Sequence, residues 1–546
     1  MSRRPNDARV SLKGYYIVYG VTIVAFLLML VYVSMRFVMT VTEKDFSVAD
    51  LTMAVVLLGA ELFLSMHAIG YFFNVVKAGR RQQTMKPIVF ARHSTATVAV
   101  LVAAFNEAEE VLEDTLSSVR AMDYPFNLYL LDDSTKEDCI AGAQRVAAKY
   151  GARLVHRTNR AGYKAGAIND LIPHLTEKYI ALLDADQKPR ESWLKEVVPY
   201  IDEHPKLALV QSPQHYINEA GLPVCTAAKY QQAVFFEYIC EGKSYSDAMF
   251  CCGSNVVIRR EALLSIKSVV HGRTQYFDER SVTEDFATSF KLHTSGWSTD
   301  YVNDKYAVGM GPETLQAYFT QQMRWAMGTQ WQCREIIKMI VRNPRCMTSA
   351  QWWEYWMVST YYFVGIPNFI FMLAPIMFML FDVRPVRSDA RLYLLFFVPY
   401  IIFSMNLFFL GMKLRKYEPK GIWLASALSF SSFWIYTKAA TVAILGLKRA
   451  FAVTPKAVGG AIPLRRLWME STMLVGNVAA SAWCIYHLVI THGQIAYAVN
   501  GVWATYHAIL LSTLFIHFNT PVKIVSRPRL FQPTAPPKPD AVTNAA

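Results

Sequence analysis

Thr97-Val98-Ala99-Val100-Leu101-Val102-Ala103-Ala104 is an unbroken β-rich, apolar run that ends in Phe105-Asn106-Glu107. Eight residues of this composition match a strand buried on both faces. A helix-like stretch to Met122 follows, and the unit then repeats. Asn127 to Leu131 runs into Asp132-Asp133-Ser134, a helical pattern reaches Tyr150, and Arg153 to His156 is a further short strand. Another helix starts at Lys164, and Tyr179 to Leu183 runs into Asp184-Ala185-Asp186. Alternating buried strands and helices predict an α/β domain with a doubly wound, mostly parallel sheet, whose ligands bind beyond the carboxyl ends of the strands. The acidic residues at 132, 133, 184 and 186 all fall at such ends.

Long apolar segments flank this domain, and the whole chain of 546 residues is 53% hydrophobic. They lie at Thr22 to Val33 (extendable to Tyr15 and Met39), Leu51 to Val76, Trp352 to Phe381, Leu392 to Met412, Gly421 to Leu447, Leu467 to Ile490 and Ile495 to Phe518. Each is compatible with crossing about 30 Å of hydrocarbon. The net charge of +13 does not point to nucleic acid, because it is distributed by side: +3 over residues 1–14, +5 over 77–92 and +3 over 519–546, against −2 over 41–50. That is the positive-inside bias of a membrane protein. The first apolar run has no small-residue cleavage site after it and reads as an anchor. Adjacent Cys251-Cys252 and the lack of a CxxC pair among the eight cysteines argue against zinc.

With the N-terminus inside, two spans return the chain to the cytoplasm at Lys77 and two more at Lys413. A crossing at Gly421 to Leu447 would put Lys448, Arg449, Lys456, Arg465 and Arg466 outside, so this segment is expected to lie in the interface. Six spans result. The division expected is two transmembrane helices in 1–92, a cytoplasmic domain in 93–345, helices 3 and 4 in 346–418, an interfacial helix and loop in 419–466, helices 5 and 6 in 467–520, and a Pro-rich cytoplasmic tail in 521–546.

Asp184 and Asp186 flank one residue, so in an extended segment both project to one side and can approach one hard cation, Mg²⁺ or Mn²⁺, bridging to a diphosphate. Lys164 and Gly166 offer a cation and backbone access near the same edge. Thr283-Glu284-Asp285 opens a helix, where one carboxylate can take a proton from an acceptor hydroxyl. Gln321 and Arg324 share a face of an amphipathic segment beginning at Glu313, beside Trp325, an indole able to stack on a sugar ring. Trp352, Trp353, Tyr355, Trp356, Tyr361 and Tyr362 read as an interfacial aromatic belt rather than an exit path.

Taken in order, these motifs resemble the processive membrane-bound glycosyltransferases of family 2, and most closely the cellulose-synthase-like branch. The resemblance runs from about residue 95 to 456 and adds Cys252-Gly253-Ser254 and Phe451-Ala452-Val453-Thr454-Pro455-Lys456, which is similar to the FxVTxK gating loop of cellulose synthases. It implies a glycosyltransferase-A-type domain in a bacterial inner membrane, transferring a sugar with inversion from UDP-glucose to a growing β-glucan and extruding the polymer, with accessory secretion subunits possible. By position it places Phe105, Asn106, Glu107, Asp132, Asp133, Lys164, Asp184, Gln321 and Arg324 on the nucleotide sugar, and Asp184 with Asp186 on the metal. Asp285 becomes the base, supported by Glu284 and Thr283. Cys252, Gly253, Ser254 and Trp325 line the acceptor site, and Phe451, Val453, Thr454 and Lys456 close over the nucleotide.

Two features depart from the cellulose pattern: Ala104-Phe105 stands where Thr-Tyr is usual, and the tail from Arg527 to Pro539 is too short for a cyclic-di-GMP-binding barrel. Curdlan-like β-1,3, mixed-linkage and β-1,4 products stay open. So do a hyaluronan- or chitin-like synthase and, from another class, a nucleotide-binding transporter using Glu61, His67 and Asn74 in its second span.

Overall fold

A computed structural model describes residues 11–84, 94–386, 390–447, 460–490 and 495–521. Thr97 to Ala104 forms strand β1 (Val98–Ala104), near the middle of a seven-stranded sheet completed by β2 (Asn127–Asp132), β3 (Arg153–His156), β4 (Tyr179–Asp184), β5 (Leu207–Gln211), β6 (Val256–Arg259) and β7 (Ser298–Tyr301). The spatial order is β7-β5-β6-β4-β1-β2-β3. Both faces of β1 are covered, as its unbroken apolar run requires. Val98, Val100 and Val102 pack with Leu112, Leu116 and Trp193, while Ala99 and Leu101 pack with Ile168, Leu171 and Leu263.

Pairing is parallel except at β6, which runs antiparallel to β4 and β5. Register then brings the acidic ends together: Ala104 lies opposite Asp132 and Ala103 opposite Asp184. The helices Glu109–Arg120, Glu137–Lys149 and Tyr163–Leu171 fall where the sequence pattern places them.

Six helices among the described residues are long and apolar enough to cross a membrane: Leu12–Thr42, Val48–Thr84, Ser349–Phe381, Arg391–Leu414, Trp468–Ile490 and Ile495–Phe518. The chain is thus built as a multi-pass membrane protein. The segment expected as one interfacial helix is two, Pro419–Ser431 and Phe433–Leu445, bent by 42°, so that the pair has the composition of a broken span or a re-entrant loop. The break falls at Ser432, whose hydroxyl donates to the Leu428 carbonyl at 2.7 Å, a side-chain bond that bends helices.

The aromatic belt needs correction at Tyr355 and Trp352. Tyr355 is 1% exposed and sits among Phe250, Phe286 and Phe290, with its hydroxyl 2.7 Å from His293 Nδ1, while Trp352 packs edge-on against Phe290. These rings join the polar domain to the membrane helices.

The polar groups of the second span are engaged in contacts between elements. Arg36 Nε donates to Glu61 at 2.9 Å, His67 Nε2 lies 3.3 Å from the Thr360 hydroxyl, and Asn74 donates to Glu354 at 3.2 Å. Glu354, fully buried, also takes Lys243 at 2.7 Å and Lys77 at 2.9 Å. Gly242 is wedged against Asn74, where a Cβ would lie 2.6 Å from the Asn74 carbonyl oxygen. Removing one member of a buried ion pair leaves the other charge uncompensated, so Glu354→Ala is expected to destabilise the protein by about 3–5 kcal/mol. The check is thermal unfolding in detergent, in which Glu354→Met with Lys243→Met recovers most of the loss.

Candidate active site

The level carboxyl ends of β1, β2 and β4 open into a cavity of about 310 Å³. Phe105, Glu107, Asp133, Lys164, Asp184, Asp186, Gln321 and Arg324 all line it, so the structure gathers onto one surface residues more than 200 positions apart.

Its far wall is a hydrogen-bonded chain. Lys164 Nζ donates to Asp184 Oδ1 and, at 2.6 Å, to the Gly253 carbonyl. The Asp184 N–H donates to Ser254 Oγ at 2.9 Å. Gly253 has φ +81°, and a Cβ there would lie 3.0 Å from Asp285 Oδ2. Hydrogen bonds therefore join Asp184 to Gly253 through Lys164, and Asp285 stands within a methyl group's reach of Gly253. Gln211, fully buried at the end of β5, fixes this segment: its Nε2 donates to the Ser254 carbonyl at 2.7 Å and its Oε1 accepts the Cys252 N–H at 2.8 Å.

The electrostatics follow from this crowding of charge. Burial, and then the neighbouring Glu284, push the Asp285 carboxyl up to about 7, against the opposing pull of the Phe286 N–H, Lys164 and Arg324. Burial likewise raises Glu284, with Lys164 and Arg324 opposing. Burial works against the Lys164 ammonium, but Asp184, Glu284 and Asp285 outweigh it, and the group is held above the ordinary lysine range.

The third wall comes from the Leu315–Arg342 helix, begun by the Thr314 hydroxyl accepting the Ala317 N–H at 3.2 Å. One turn beyond Trp325, Gly328 meets Thr283 so closely that a Cβ would lie 2.4 Å from its methyl carbon. This contact holds the Gln321-to-Trp325 stretch against Thr283-Glu284-Asp285. Trp325 is half-buried and does not line the cavity. On the opposite face, Gln322 accepts the Tyr436 hydroxyl at 3.0 Å, tying the helix to Phe433–Leu445.

Several expectations shift in detail. Asp132 is fully buried and does not line the cavity; one oxygen accepts the Ser134 N–H at 3.1 Å and the other faces His156 Nδ1 at 2.9 Å. Asn106, at φ +50°, accepts the N–H groups of Thr135 and Lys136 and so braces the loop after β2. Its work is to shape the rim. Asp133 is gripped by Arg157 through both oxygens, at 2.8 and 2.6 Å. Cys252, Ser254, Glu284 and Asp285 lie behind the cavity lining rather than on it. All eight cysteines are free thiols. The loop residues Phe451, Val453, Thr454 and Lys456 lie outside the described residues.

Sequence reasoning missed Arg160, whose guanidinium stacks 3.5 Å from the centre of the Phe105 ring, and the lining residues Tyr163, Gln187, Gln214 and Tyr216. It also missed Gly309 and Gly311, whose lack of a Cβ admits Gln187 and Tyr216. The Gly-Met-Gly-Pro stretch at 309–312 was the available signal.

Residues 95–328 match the profile of glycosyltransferase-like family 2. The match covers less than half of the chain and coincides with the seven-stranded sheet and the start of the Leu315–Arg342 helix. The chain is similar in part to the cellulose synthase catalytic subunit of Pseudomonas fluorescens, with 29% identity over 56% of this chain and 41% of that one. It is similar also to cellulose synthase 1 catalytic subunit of Komagataeibacter xylinus, with 26% identity over 84% of this chain and 61% of that one. The chain thus spans between two fifths and two thirds of the length of these relatives. Among solved structures, the mannosyltransferase PcManGT of Pyrobaculum calidifontis aligns with a TM-score of 0.47 and 16% identity, over 72% of this chain and all of that one.

Proposed function

We propose that this protein polymerises a β-glucan processively, by inverting transfer from UDP-glucose, on the cytoplasmic side of a bacterial inner membrane, and that it extrudes the product through its own helices. The observation that carries the reading is the placement of the hydrogen-bonded Asp184, Lys164 and Gly253 between a cavity of about 310 Å³, lined by both acidic and basic groups, and Asp285, a buried carboxylate of raised pKa. Similarity to cellulose synthase catalytic subunits supports a β-glucan as product.

In this reading the nucleotide sugar enters between Phe105, Glu107 and Asp133 on one side and Gln321 and Arg324 on the other. Inversion needs one in-line displacement and one base. Asp285 takes the proton of the acceptor hydroxyl, in the form that has lost its own. Glu284 beside it raises its basicity. Arg324 and Lys164 neutralise charge on the departing diphosphate. The segment Cys252-Gly253-Ser254 seats the acceptor, and Trp325 stacks on its terminal sugar.

The acidic pair fits a divalent ion brought by substrate. Among the described residues no three His, Cys, Asp or Glu side chains converge as a metal cage. Asp184 and Asp186 both line the cavity, and Mg²⁺ or Mn²⁺ is typically held by one or two carboxylates plus substrate phosphates. These two residues would hold it, and when bound the ion supplies positive charge to the leaving diphosphate.

Purified full-length protein in detergent, given Mg²⁺ and in turn UDP-glucose, UDP-N-acetylglucosamine, UDP-glucuronate and GDP-mannose, tests the reading. UDP release with UDP-glucose and a β-linked glucan by linkage analysis are expected. Turnover of another donor alone would replace the glucan by a different polymer. Nucleotide binding without turnover of any donor would favour a transporter or receptor.

A further inference from the structure

Lys164 stands where a metal-binding carboxylate and an acceptor-side carbonyl can be held by one cation. Its backbone is fixed by a tight entry to the Tyr163–Leu171 helix: Gly162 and Tyr163 have φ of +71° and +51°, and a Cβ on Gly166 would lie 1.9 Å from the Ala161 carbonyl oxygen. Asn169 locks the far end of the same helix, accepting the Tyr276 and Phe277 N–H groups at 3.0 and 2.8 Å. Only the four-carbon stem of Lys164 is free to swing. Its ammonium grips Asp184, which keeps 43% of its side chain exposed to the cavity, and the Gly253 carbonyl.

We infer that Lys164 is an internal counter-cation that shields Asp184 from divalent metal until a diphosphate draws the ammonium away, so that the ion loads with the donor and not before it. This rests on the proposed nucleotide-sugar reading of the cavity. An ammonium on Asp184 neutralises the charge that would attract a metal ion and repels that ion at close range. A diphosphate brings several oxygens and more negative charge than one carboxylate, and so is the stronger partner for Lys164. The same swing frees the Gly253 carbonyl, linking arrival of the donor to the segment proposed to seat the acceptor. Lys164 is thus a positioning residue for the metal and for the 252–254 segment, besides its contact with diphosphate.

The test uses Mn²⁺ alone, titrated into nucleotide-free full-length protein in detergent and followed by the paramagnetic resonance signal of aqueous Mn²⁺. Lys164→Met and Lys164→Gln are each expected to bind Mn²⁺ at least tenfold more tightly than wild type, whereas Lys164→Arg, which keeps the charge, is not. Adding Asp184→Asn to Lys164→Met should abolish the gain. UDP should tighten Mn²⁺ binding at least tenfold in wild type and much less in Lys164→Met. Equal Mn²⁺ affinity in wild type and both neutral variants would overturn the inference, as would a gain that survives Asp184→Asn. If the neutral variants gain affinity but UDP changes Mn²⁺ binding in none of the proteins, the shielding role stands and the nucleotide reading falls.

Discussion

Asp285→Asn is expected to lower the turnover of UDP-glucose by about 10³-fold while leaving UDP affinity within about threefold of wild type, because a positioned general base contributes roughly 10²–10⁴-fold. The substitution keeps shape and removes only the ability to take a proton. The Phe286 N–H, which donates to Asp285 Oδ1 at 2.8 Å, can donate equally to the amide oxygen, so the local fold has no reason to change. The pH profile supplies a second readout. Burial and Glu284 hold the Asp285 carboxyl at about 7, above its ordinary range, and the base works only when deprotonated. In wild type kcat/KM should therefore rise about tenfold per pH unit below pH 7 and level off above it. Glu284→Gln removes a neighbouring negative charge that favours the protonated form, so the rising limb should move to lower pH. UDP release measured across pH, with UDP binding by calorimetry, decides the matter. Turnover of Asp285→Asn within tenfold of wild type would remove Asp285 from the role of base.

How far the sequence reveals this arrangement depends on what each residue's neighbours are. Strands such as β1 are legible because burial on both faces forces an unbroken apolar run, and an acidic residue directly after such a run can only sit at a strand end. That reasoning gathers Asp133, Asp184 and Asp186 correctly at one edge. It cannot separate Asp132 from Asp133, since adjacent residues at a strand end point opposite ways and the choice is made by His156, which arrives from β3. Gln211 was invisible for a related reason: its partners are backbone groups of Ser212, Cys252, Ser254 and Asn255, and no side-chain pattern encodes them. The antiparallel β6 was hidden because four buried residues, Val256 to Arg259, carry no mark of direction. Among the apolar segments, length and hydropathy marked seven, and six of them coincide with the helices long and apolar enough to cross a membrane among the described residues. They gave no hint of the break at Ser432, where the hydroxyl bonds back to the Leu428 carbonyl.

Gly253→Ala is expected to reduce kcat by about 10²-fold with the KM for donor changed little, since displacement of reacting groups by about 1 Å can carry a cost of that size. Two effects combine at this position. The backbone has φ +81°, a conformation that costs an L-residue about 1–2 kcal/mol. The added methyl would also lie 3.0 Å from Asp285 Oδ2, tight enough that the carboxylate must give way. Displacing that oxygen moves the proposed base, and shifting the 252–254 segment disturbs the carbonyl that Lys164 grips at 2.6 Å. The donor-lining residues Phe105, Glu107, Asp133, Gln321 and Arg324 stand on other elements and stay where they are. A purely structural role for Gly253 would lower thermal stability and leave the kcat of the folded fraction intact. The claim therefore stands on the split: kcat normalised to folded, UDP-binding protein must fall, and if it is unchanged while the melting temperature drops, Gly253 contributes to folding and not to the placement of Asp285.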